Sequence, residues 1–321
     1  MNSRLTTLPK RAGVPDVVRL PGPEGWPRER AGNSAISVRP IVVGYRTGSH
    51  SREALTWAVR EASHLGLPLV VLFAADYPGM VRQQDFGPSA LDPGALEAAT
   101  EVTAGGVVEA RLLDRRVAVH GRTLVTSATR SLIEASSQAS LIVVGSRGRG
   151  PVLGAVLGSV SRSVAARASC PVVVVPPGTA AKVAGPDWPV SVGTDGSHCS
   201  TLAVHHAAET AARRAAPLHV ICWAAGGSPN TPTGDEARIL SEVGRDLRWS
   251  QPSLHVTTRV VDGSPEAALL EASARSGLVV IGSRARGRLE QILHGSVSAE
   301  VIRHAASPIV VIGPGSASPQ S

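Results

Sequence analysis

The sequence predicts an α/β protein made of two tandem, doubly wound domains, each a parallel sheet with helices on both faces. Short apolar runs alternate with segments of helical periodicity along the chain, which is typical of strands buried between two helical layers. Glycine and proline landmarks recur at a fixed distance in the two halves. In each half, a glycine-rich loop follows a buried strand and leads into a helical pattern.

The repeat is clearest between residues 141–175 and 278–312, LIVVGSRGRGPVLGAVLGSVSRSVAARASCPVVVV and LVVIGSRARGRLEQILHGSVSAEVIRHAASPIVVI. Gly145, Gly158 and Pro171 each recur 137 residues later, and this constant offset indicates a tandem duplication. Earlier landmarks are offset by 149 residues, as Pro68 is from Pro217. The first domain therefore holds 12 additional residues, the difference between 149 and 137.

Strands and helices alternate along the first domain. Residues 40–44 form the first strand, and a helix runs from about Ser51 to a stop signal at Gly66. Residues 69–73 form the second strand, residues 77–93 a long loop, and residues 96–120 a helix and a strand. A helix over 124–136, a strand over 141–144, a helix from Gly158 and a strand over 172–175 complete the domain.

The second domain repeats this order, with strands at 190–193 and 218–223 and a first helix over 201–212. We place the two domains at residues 37–176 and 188–314. A linker rich in proline and glycine, residues 177–187, joins them. Residues 1–36 mix prolines with charges and lack periodicity, so they predict a disordered leader, and residues 315–321 predict a disordered tail.

Composition restricts the class of protein. No apolar run approaches the roughly 18 residues that span a bilayer, and the N-terminal region lacks the apolar stretch of a signal peptide. Three cysteines form no paired framework, which is typical of reduced thiols. The net charge of +7 includes no basic stripe, and aromatic residues make up only 3% of the chain. We therefore expect a cytoplasmic protein that binds neither membranes nor nucleic acids.

The glycine loop predicts an anion site. In the first half it reads Gly145-x-x-Gly148, nine residues, then Gly158-Ser159 at the start of a helix. Backbone N–H groups at such a helix start point at a phosphate, and the helix dipole favours its negative charge. Glycine lets the backbone approach the phosphates closely. Hydroxyl groups in the first helical turn add further hydrogen-bond donors, and Arg147 offsets phosphate charge.

The two glycine loops resemble the ATP-binding signature of the universal stress proteins in their two-domain form, and the resemblance covers roughly residues 37–314. It implies a five-stranded parallel sheet of order 3-2-1-4-5 in each domain. It also implies an ATP ligand, with Mg²⁺ as an optional companion ion, and a role as a stress-response regulator. The two domains are expected to pair as an intramolecular pseudo-dimer, or the chain to form a homodimer. Cyclic AMP in place of ATP stays open.

The resemblance also assigns nucleotide-binding residues, taken from the strand tips, the glycine loops and the helix starts. In the first domain they are Gly44, Tyr45, Arg46, Gly145, Arg147, Gly148, Gly158, Ser159, Val160 and Ser161. In the second domain they are Gly193, Thr194, Asp195, Trp223, Gly282, Arg284, Ala285, Gly295, Ser296, Val297 and Ser298.

Each site departs from the family pattern at one residue. An aspartate at the first strand tip contacts the nucleoside in the family; the second domain keeps it as Asp195, whereas the first domain has Arg46. Conversely, Ala285 stands where the first domain has Gly148. A β-carbon against a phosphate removes several backbone contacts, whereas one lost hydrogen bond costs about 0.5–1.5 kcal/mol. We therefore expect tighter binding in the first domain and better adenosine selectivity in the second.

Other functions lack their motifs. Neither lysine lies near a glycine loop, so no P-loop is present, and no Gly-x-Ser-x-Gly elbow supplies a hydrolase nucleophile. The histidines and cysteines between 198 and 222 match no zinc spacing. We therefore expect a binding protein rather than a dedicated enzyme. A nucleotide-free stress scaffold and a slow ATPase are the two alternatives.

Overall fold

A computed structural model describes residues 38–75, 93–146, 158–223, 234–283, 297–313 and 315–316. The predicted leader, the 77–92 part of the predicted loop and residues 317–321 of the predicted tail lie outside them. So do both glycine loops between residues 147 and 157 and between residues 284 and 296.

The first domain contains five strands and four helices among the described residues. The strands are β1 (Ile41–Gly44), β2 (Leu69–Ala74), β3 (Val119–Leu124), β4 (Leu141–Gly145) and β5 (Val172–Val175). The helices are α1 (Ser49–Leu65), α2 (Pro93–Leu113), α3 (Ala128–Ser136) and α4 (Ser159–Arg167). Helix α1 ends at Gly66, whose φ of 64° is the left-handed conformation that glycine adopts without strain.

The second domain repeats the same order. Its strands are β6 (Val190–Thr194), β7 (Leu218–Trp223), β8 (Val256–Val261), β9 (Leu278–Gly282) and β10 (Ile309–Ile312). Its helices are α5 (His198–Arg213), α6 (Gly234–Ser250), α7 (Pro265–Arg275) and α8 (Val297–His304). Ser264 begins α7 as an N-cap, because its hydroxyl accepts a hydrogen bond from the Ala267 N–H.

The predicted strand order is confirmed in both halves. All ten strands form one sheet in the order β3-β2-β1-β4-β5-β10-β9-β6-β7-β8. Neighbouring strands within each domain are parallel, whereas β5 and β10 pair antiparallel, with Val310 opposite Val173. The two five-stranded sheets therefore continue into each other, as expected for a pseudo-dimer within one chain.

The predicted helix over 124–136 begins too early. Leu124 is the last residue of β3 and pairs with Ala74 of β2, and α3 begins only at Ala128. Residues 119–124 alternate buried and half-buried side chains, as in a strand with one covered face. The segment VHGRTL has too few apolar side chains to indicate either periodicity, and pairing with β2 selects the strand.

Two apolar layers cover the sheet, one on each face. Along β4, Leu141 and Val143 join the layer formed with α1, α2, α5 and α6, whereas Ile142 and Val144 join the layer formed with α3, α4, α7 and α8. Each layer contains side chains from both domains. The two halves therefore share their hydrophobic core, and burial of this apolar surface stabilises the domain pair as well as each domain.

The predicted linker is packed against both domains. The Ala180 N–H donates to Glu53 Oε2 at 3.1 Å, and Arg60 donates to the Ala180 carbonyl oxygen at 2.9 Å, which ties the segment to α1. On the other side, Lys182 Nζ lies 5.1 Å from the ring centroid of Trp188 and donates to the Ala274 carbonyl oxygen. The linker is therefore a structured connection between the domains.

A buried ion pair joins the two domains on the α1 face of the sheet. Arg214, at the C-terminal end of α5, donates to the Glu61 carboxylate in α1. Their side chains are only 6% and 9% exposed. By the repeat offset of 149, the equivalent positions are Leu65 and Thr210, so the pair is not a duplicated feature. It belongs to the contact between the domains.

We predict that Glu61→Ala lowers the free energy of unfolding by about 3–5 kcal/mol, because it leaves the Arg214 guanidinium buried without its partner. The measurement is urea denaturation followed by circular dichroism. The matched control is Arg213→Ala, next to Arg214, whose side chain is 48% exposed and 3.8 Å from Glu209. That change should alter stability by less than about 1 kcal/mol. Equal effects of the two changes would show that the buried pair does not hold the domains together.

Candidate functional site

The two candidate sites lie at the carboxyl ends of the strands, one site on each of two opposite sides of the sheet. In a doubly wound sheet, ligands bind at the carboxyl ends of the strands where the winding reverses. Here α1 and α4 follow the neighbouring strands β1 and β4 and pack on opposite faces, and α5 and α8 do the same after β6 and β9. Because β5 and β10 are antiparallel, the strands of the first domain run opposite to those of the second. The carboxyl ends of the two sets of strands therefore point in opposite directions.

Gly145 and Gly282 are required by helix packing at these strand ends. A β-carbon at Gly145 would lie 2.7 Å from the His50 carbonyl oxygen in the first turn of α1. A β-carbon at Gly282 would lie 2.6 Å from the Cys199 carbonyl oxygen in the first turn of α5. The sequence interpretation gave Gly145 a role in phosphate approach; the structure shows that the neighbouring helix already demands glycine there.

The start of α4 is fixed to the end of β4. The Gly158 N–H donates to the Ser146 carbonyl oxygen at 2.8 Å, and the Ser161 hydroxyl donates to the Gly145 carbonyl oxygen at 2.6 Å. Gly158 has an ordinary extended conformation (φ −58°, ψ 139°), supplies no side-chain cap, and no acidic residue lies in the first turn. Ser159 is exposed and Val160 half-buried. The backbone N–H groups of the first turn of α4 therefore lie beside the carboxyl end of β4.

Ser161 has a structural contact that the sequence analysis did not predict. The sequence analysis assigns its hydroxyl as a donor to phosphate, but the single hydroxyl hydrogen is donated to Gly145 within a buried contact. Ser161 therefore positions the helix start relative to β4. Ser159 is exposed at the first helical position and stays the predicted hydroxyl donor.

The strand tip of the first domain is occupied by a polar cluster that the sequence analysis did not identify. The Tyr45 hydroxyl donates to Glu109 Oε2 at 3.0 Å, and Arg52 donates to Glu109 Oε1 at 2.6 Å. Burial and then the Glu109 carboxylate raise the pKa of Tyr45 to about 12, so its phenol stays protonated at neutral pH. The Tyr45 ring packs on Gly106, where a β-carbon would lie 2.7 Å from it. Arg46 follows as a half-buried residue.

The strand tip of the second domain is a turn held by hydroxyl groups. Asp195 Oδ1 accepts a hydrogen bond from the Ser197 N–H at 3.0 Å, and the Thr194 and Ser200 hydroxyls lie 3.2 Å apart. Ser197 caps α5 by accepting from the Ser200 N–H. Gly196 has a φ of 73°, so the turn needs glycine there. The half-buried Asp195 carboxylate is thus held at the edge of the site by its own backbone turn.

Trp223 brings an aromatic ring to the second site. It ends β7, the neighbour of β6, and a methyl group added at Gly193 would lie 3.4 Å from Trp223 Cζ3. The ring therefore stands directly beside the tip of β6. By the repeat offset of 149, the equivalent residue of the first domain is Ala74. At these two equivalent positions the second domain therefore has Asp195 and Trp223, whereas the first domain has Arg46 and Ala74.

Several predicted site residues lie outside the described residues, namely Arg147, Gly148, Arg284, Ala285, Gly295 and Ser296. Val297 and Ser298 begin α8 and are equivalent to Val160 and Ser161 in the first turn of α4. The structure therefore brings together Gly44, Gly145 and the start of α4 in one domain. It brings together Gly193, Asp195 and Trp223 in the other. The cluster at Glu109 was missed because α2 and β1 are far apart in sequence and no local motif joins them.

The cysteines are free thiols. Cys170, Cys199 and Cys222 are all buried, and burial raises the pKa of the Cys170 thiol to about 12. Within the described part of the chain, no group of three or more His, Cys, Asp or Glu side chains is arranged to hold a metal ion. The helices of that part are all too short or too polar to cross a membrane.

Comparisons with known proteins agree with this architecture. The model of the universal stress protein family matches residues 37–176 and 189–313. A universal stress protein of Mycobacterium tuberculosis strain H37Rv is 32% identical over 284 residues, covering 84% of this chain and 96% of the relative. One from Mycolicibacterium smegmatis is 34% identical over 292 residues, covering 85% of this chain and 97% of the relative.

A crystal structure of a universal stress protein from Archaeoglobus fulgidus has the same fold, with a TM-score of 0.67 at 20% identity. It covers 86% of this chain and 97% of the archaeal chain. The chain belongs to the universal stress protein family, in its two-domain form.

We predict that Gly145→Ala and Gly282→Ala each lower the free energy of unfolding by about 1–3 kcal/mol, because the added methyl group meets a backbone carbonyl oxygen that cannot move without shifting a helix. Thermal denaturation measures the effect. Gly105→Ala is the matched control: Gly105 is exposed in α2 and no atom lies within 4 Å of a β-carbon there. That change should stabilise the protein by about 0.5–1 kcal/mol. Unchanged stability of both site variants would mean that the strand tips tolerate a side chain.

Proposed function

We propose that this universal stress protein binds adenine nucleotides, with ATP as the preferred ligand, and acts as a stress-response regulator in the cytoplasm. The observation that carries the proposal is the start of α4, fixed by two hydrogen bonds at the carboxyl end of β4 and without a side-chain cap. Such a helix start presents N–H groups and a positive dipole end to an anion. The glycine-rich sequence between Ser146 and Gly158 would complete a cradle for phosphates.

The second domain supports recognition of the nucleoside. Asp195 is a negatively charged acceptor at the strand tip, and the Ser197 N–H donates to it within the turn. Hydrogen bonds to a charged acceptor contribute about 1.5–3 kcal/mol. Trp223 offers a ring for stacking on a base, and such stacking contributes about 1–3 kcal/mol. Together these groups favour a purine nucleoside over a free phosphate at this site.

The first domain supports phosphate binding without the same nucleoside contacts. Arg46 replaces the aspartate and Ala74 replaces the tryptophan, so a charged acceptor and a stacking ring are both replaced. A guanidinium at this tip favours negative charge instead. We therefore propose that the two sites differ in selectivity: the second domain selects adenosine, and the first domain depends on the phosphates.

Two further observations support the proposed compartment and the proposed regulation by nucleotide binding. Three free, buried cysteines are typical of a reducing compartment, which supports the cytoplasmic assignment. Both domains contribute to each apolar layer, so a ligand that orders one site stabilises a core that the other site shares. We propose that nucleotide occupancy, rather than turnover, is the signal that the protein carries.

The direct experiment has two steps. Mass spectrometry of small molecules released from freshly purified full-length protein identifies any retained nucleotide. Isothermal titration calorimetry then measures ATP binding after nucleotide removal. Retained ATP, or measurable binding of added ATP, supports the proposal. A protein that neither carries nor binds an adenine nucleotide would be the nucleotide-free scaffold instead. Tighter binding of cyclic AMP than of ATP would replace ATP as the ligand.

We predict that Asp195→Asn weakens ATP binding in the second domain by about 10-fold or more. Asparagine keeps an oxygen that can accept from the Ser197 N–H, so the turn survives while the charge is lost. Trp223→Ala should weaken binding by a similar factor, through loss of stacking. Trp188→Ala, at the start of the second domain just before β6, is the control and should leave affinity unchanged. If neither site variant changes the calorimetric isotherm, Asp195 and Trp223 do not contact the nucleoside.

A further inference from the structure

Two apolar side chains are far more exposed than any other large hydrophobic residue that the structure describes. Leu112 is 73% exposed and Trp249 is 89% exposed. Val108 and Leu113, also in α2, are 44% and 47% exposed and extend the patch around Leu112. Large apolar side chains gathered at the surface mark interaction sites, and tryptophan is enriched among the residues that dominate interfaces.

Leu112 and Trp249 occupy equivalent positions in the two halves of the protein. They are separated by the repeat offset of 137 residues, and they lie at the C-terminal ends of α2 and α6. The internal duplication therefore places an exposed apolar residue at the same site at both ends of the molecule.

The first domain has a groove beside its patch. The groove lies between the C-terminal ends of α1 and α2 and consists of two adjoining cavities of about 320 and 250 Å³. Leu113 lines the larger cavity, and Ser63 and Arg116 line both. Val59, Leu67 and Val117 add apolar wall. The groove thus opens next to the exposed side chains of α2.

The groove has the chemistry that accepts an indole ring. The Arg116 guanidinium lies across it with its side chain 83% exposed, held by Asp114 at 2.8 Å and by the Ser63 hydroxyl at 3.3 Å. Arginine stacks on tryptophan through cation–π contact, and the apolar walls would cover the ring edges. In the second domain Ser253 is equivalent to Arg116, so this feature is confined to the first domain.

Trp249 cannot reach this groove within its own chain. Helices α2 and α6 pack near β3 and β8, which are the two edge strands of a ten-stranded sheet. Nine inter-strand spacings of about 4.8 Å separate those edges by roughly 43 Å. Trp249 and the groove lie at opposite ends of the molecule, so they can contact each other only between two molecules.

We propose that a second copy of this chain covers both surfaces, with Trp249 of each molecule inserted into the α1–α2 groove of the other. The contact is then made twice, and the two-fold arrangement closes as a dimer. This interface is separate from the β5–β10 pairing inside the chain and from the nucleotide sites.

Sedimentation velocity of the full-length protein over a concentration series tests the proposal. We expect a dimer for the wild type, and a dissociation constant raised by about 30-fold or more in Trp249→Ala, as for a central interface tryptophan. The matched control is Trp188→Ala, which removes a tryptophan that is 42% exposed at the start of the second domain and should leave the dimer intact. Arg116→Ala should weaken the dimer as well. Circular dichroism confirms that each variant is folded.

A second measurement tests whether residue 249 of one molecule lies beside the groove of another. A protein carrying Leu113→Cys is mixed with a protein carrying Trp249→Cys, and a short bismaleimide is added; the native thiols are buried. Cross-linked dimers that contain one of each variant, in excess over either protein alone, support the contact. A monomeric wild type, or a dimer that persists unchanged in Trp249→Ala, would overturn the proposal. The groove and patch would then be left to another protein or to the chain's own N-terminal residues.

Discussion

The antiparallel pairing of β5 with β10 is the constraint on which the rest of the molecule depends. Residues 172–175 are four valines, buried on both faces, and their outer backbone groups would be unpaired at the edge of a five-stranded sheet. Pairing with β10 satisfies those groups and merges two sheets into one. It also brings α1 and α5 close enough for the Glu61–Arg214 pair, and it fixes the two sites on opposite sides of the sheet. The linker completes the connection by bonding to both domains.

The duplication conserved the scaffold of the sites more than their chemistry. Gly145 and Gly282 meet the first turn of α1 and of α5 in the same way, with a carbonyl oxygen at nearly the same distance. The strand tips differ: Tyr45 is tied to Glu109 in α2, whereas Thr194 belongs to a turn that orders Asp195. Close packing of a helix leaves no room for a side chain at either glycine. The residues at the two strand tips are not restricted in this way, and they differ between the domains. This difference supports two sites with separate selectivity.

Prediction from the sequence succeeded where a pattern is local and repeated. The alternation of apolar runs and helical periodicity, together with the constant offset from Gly145 to Gly282, indicated the strands and the duplication. The resemblance to the family implied the strand order that the structure shows in both halves. Prediction failed at residue 124, because β3 is selected by its pairing with β2 rather than by its own periodicity. It also missed the hydrogen bond from Ser161 to the Gly145 carbonyl oxygen, since no local pattern joins the end of β4 to α4.

The sequence by itself determined the fold class, the family, the duplication and the residues at the two strand tips, because each depends on spacing along the chain. Only the tertiary structure decided the contacts between segments distant in sequence. These are the Tyr45–Glu109–Arg52 cluster, the ring of Trp223 beside Gly193, and the ion pair between Glu61 and Arg214. The physical reason is that such contacts depend on the register of β1 with β2, of β6 with β7, and of β5 with β10. Register is set by cooperative packing of both apolar layers, and no single segment of the chain encodes it.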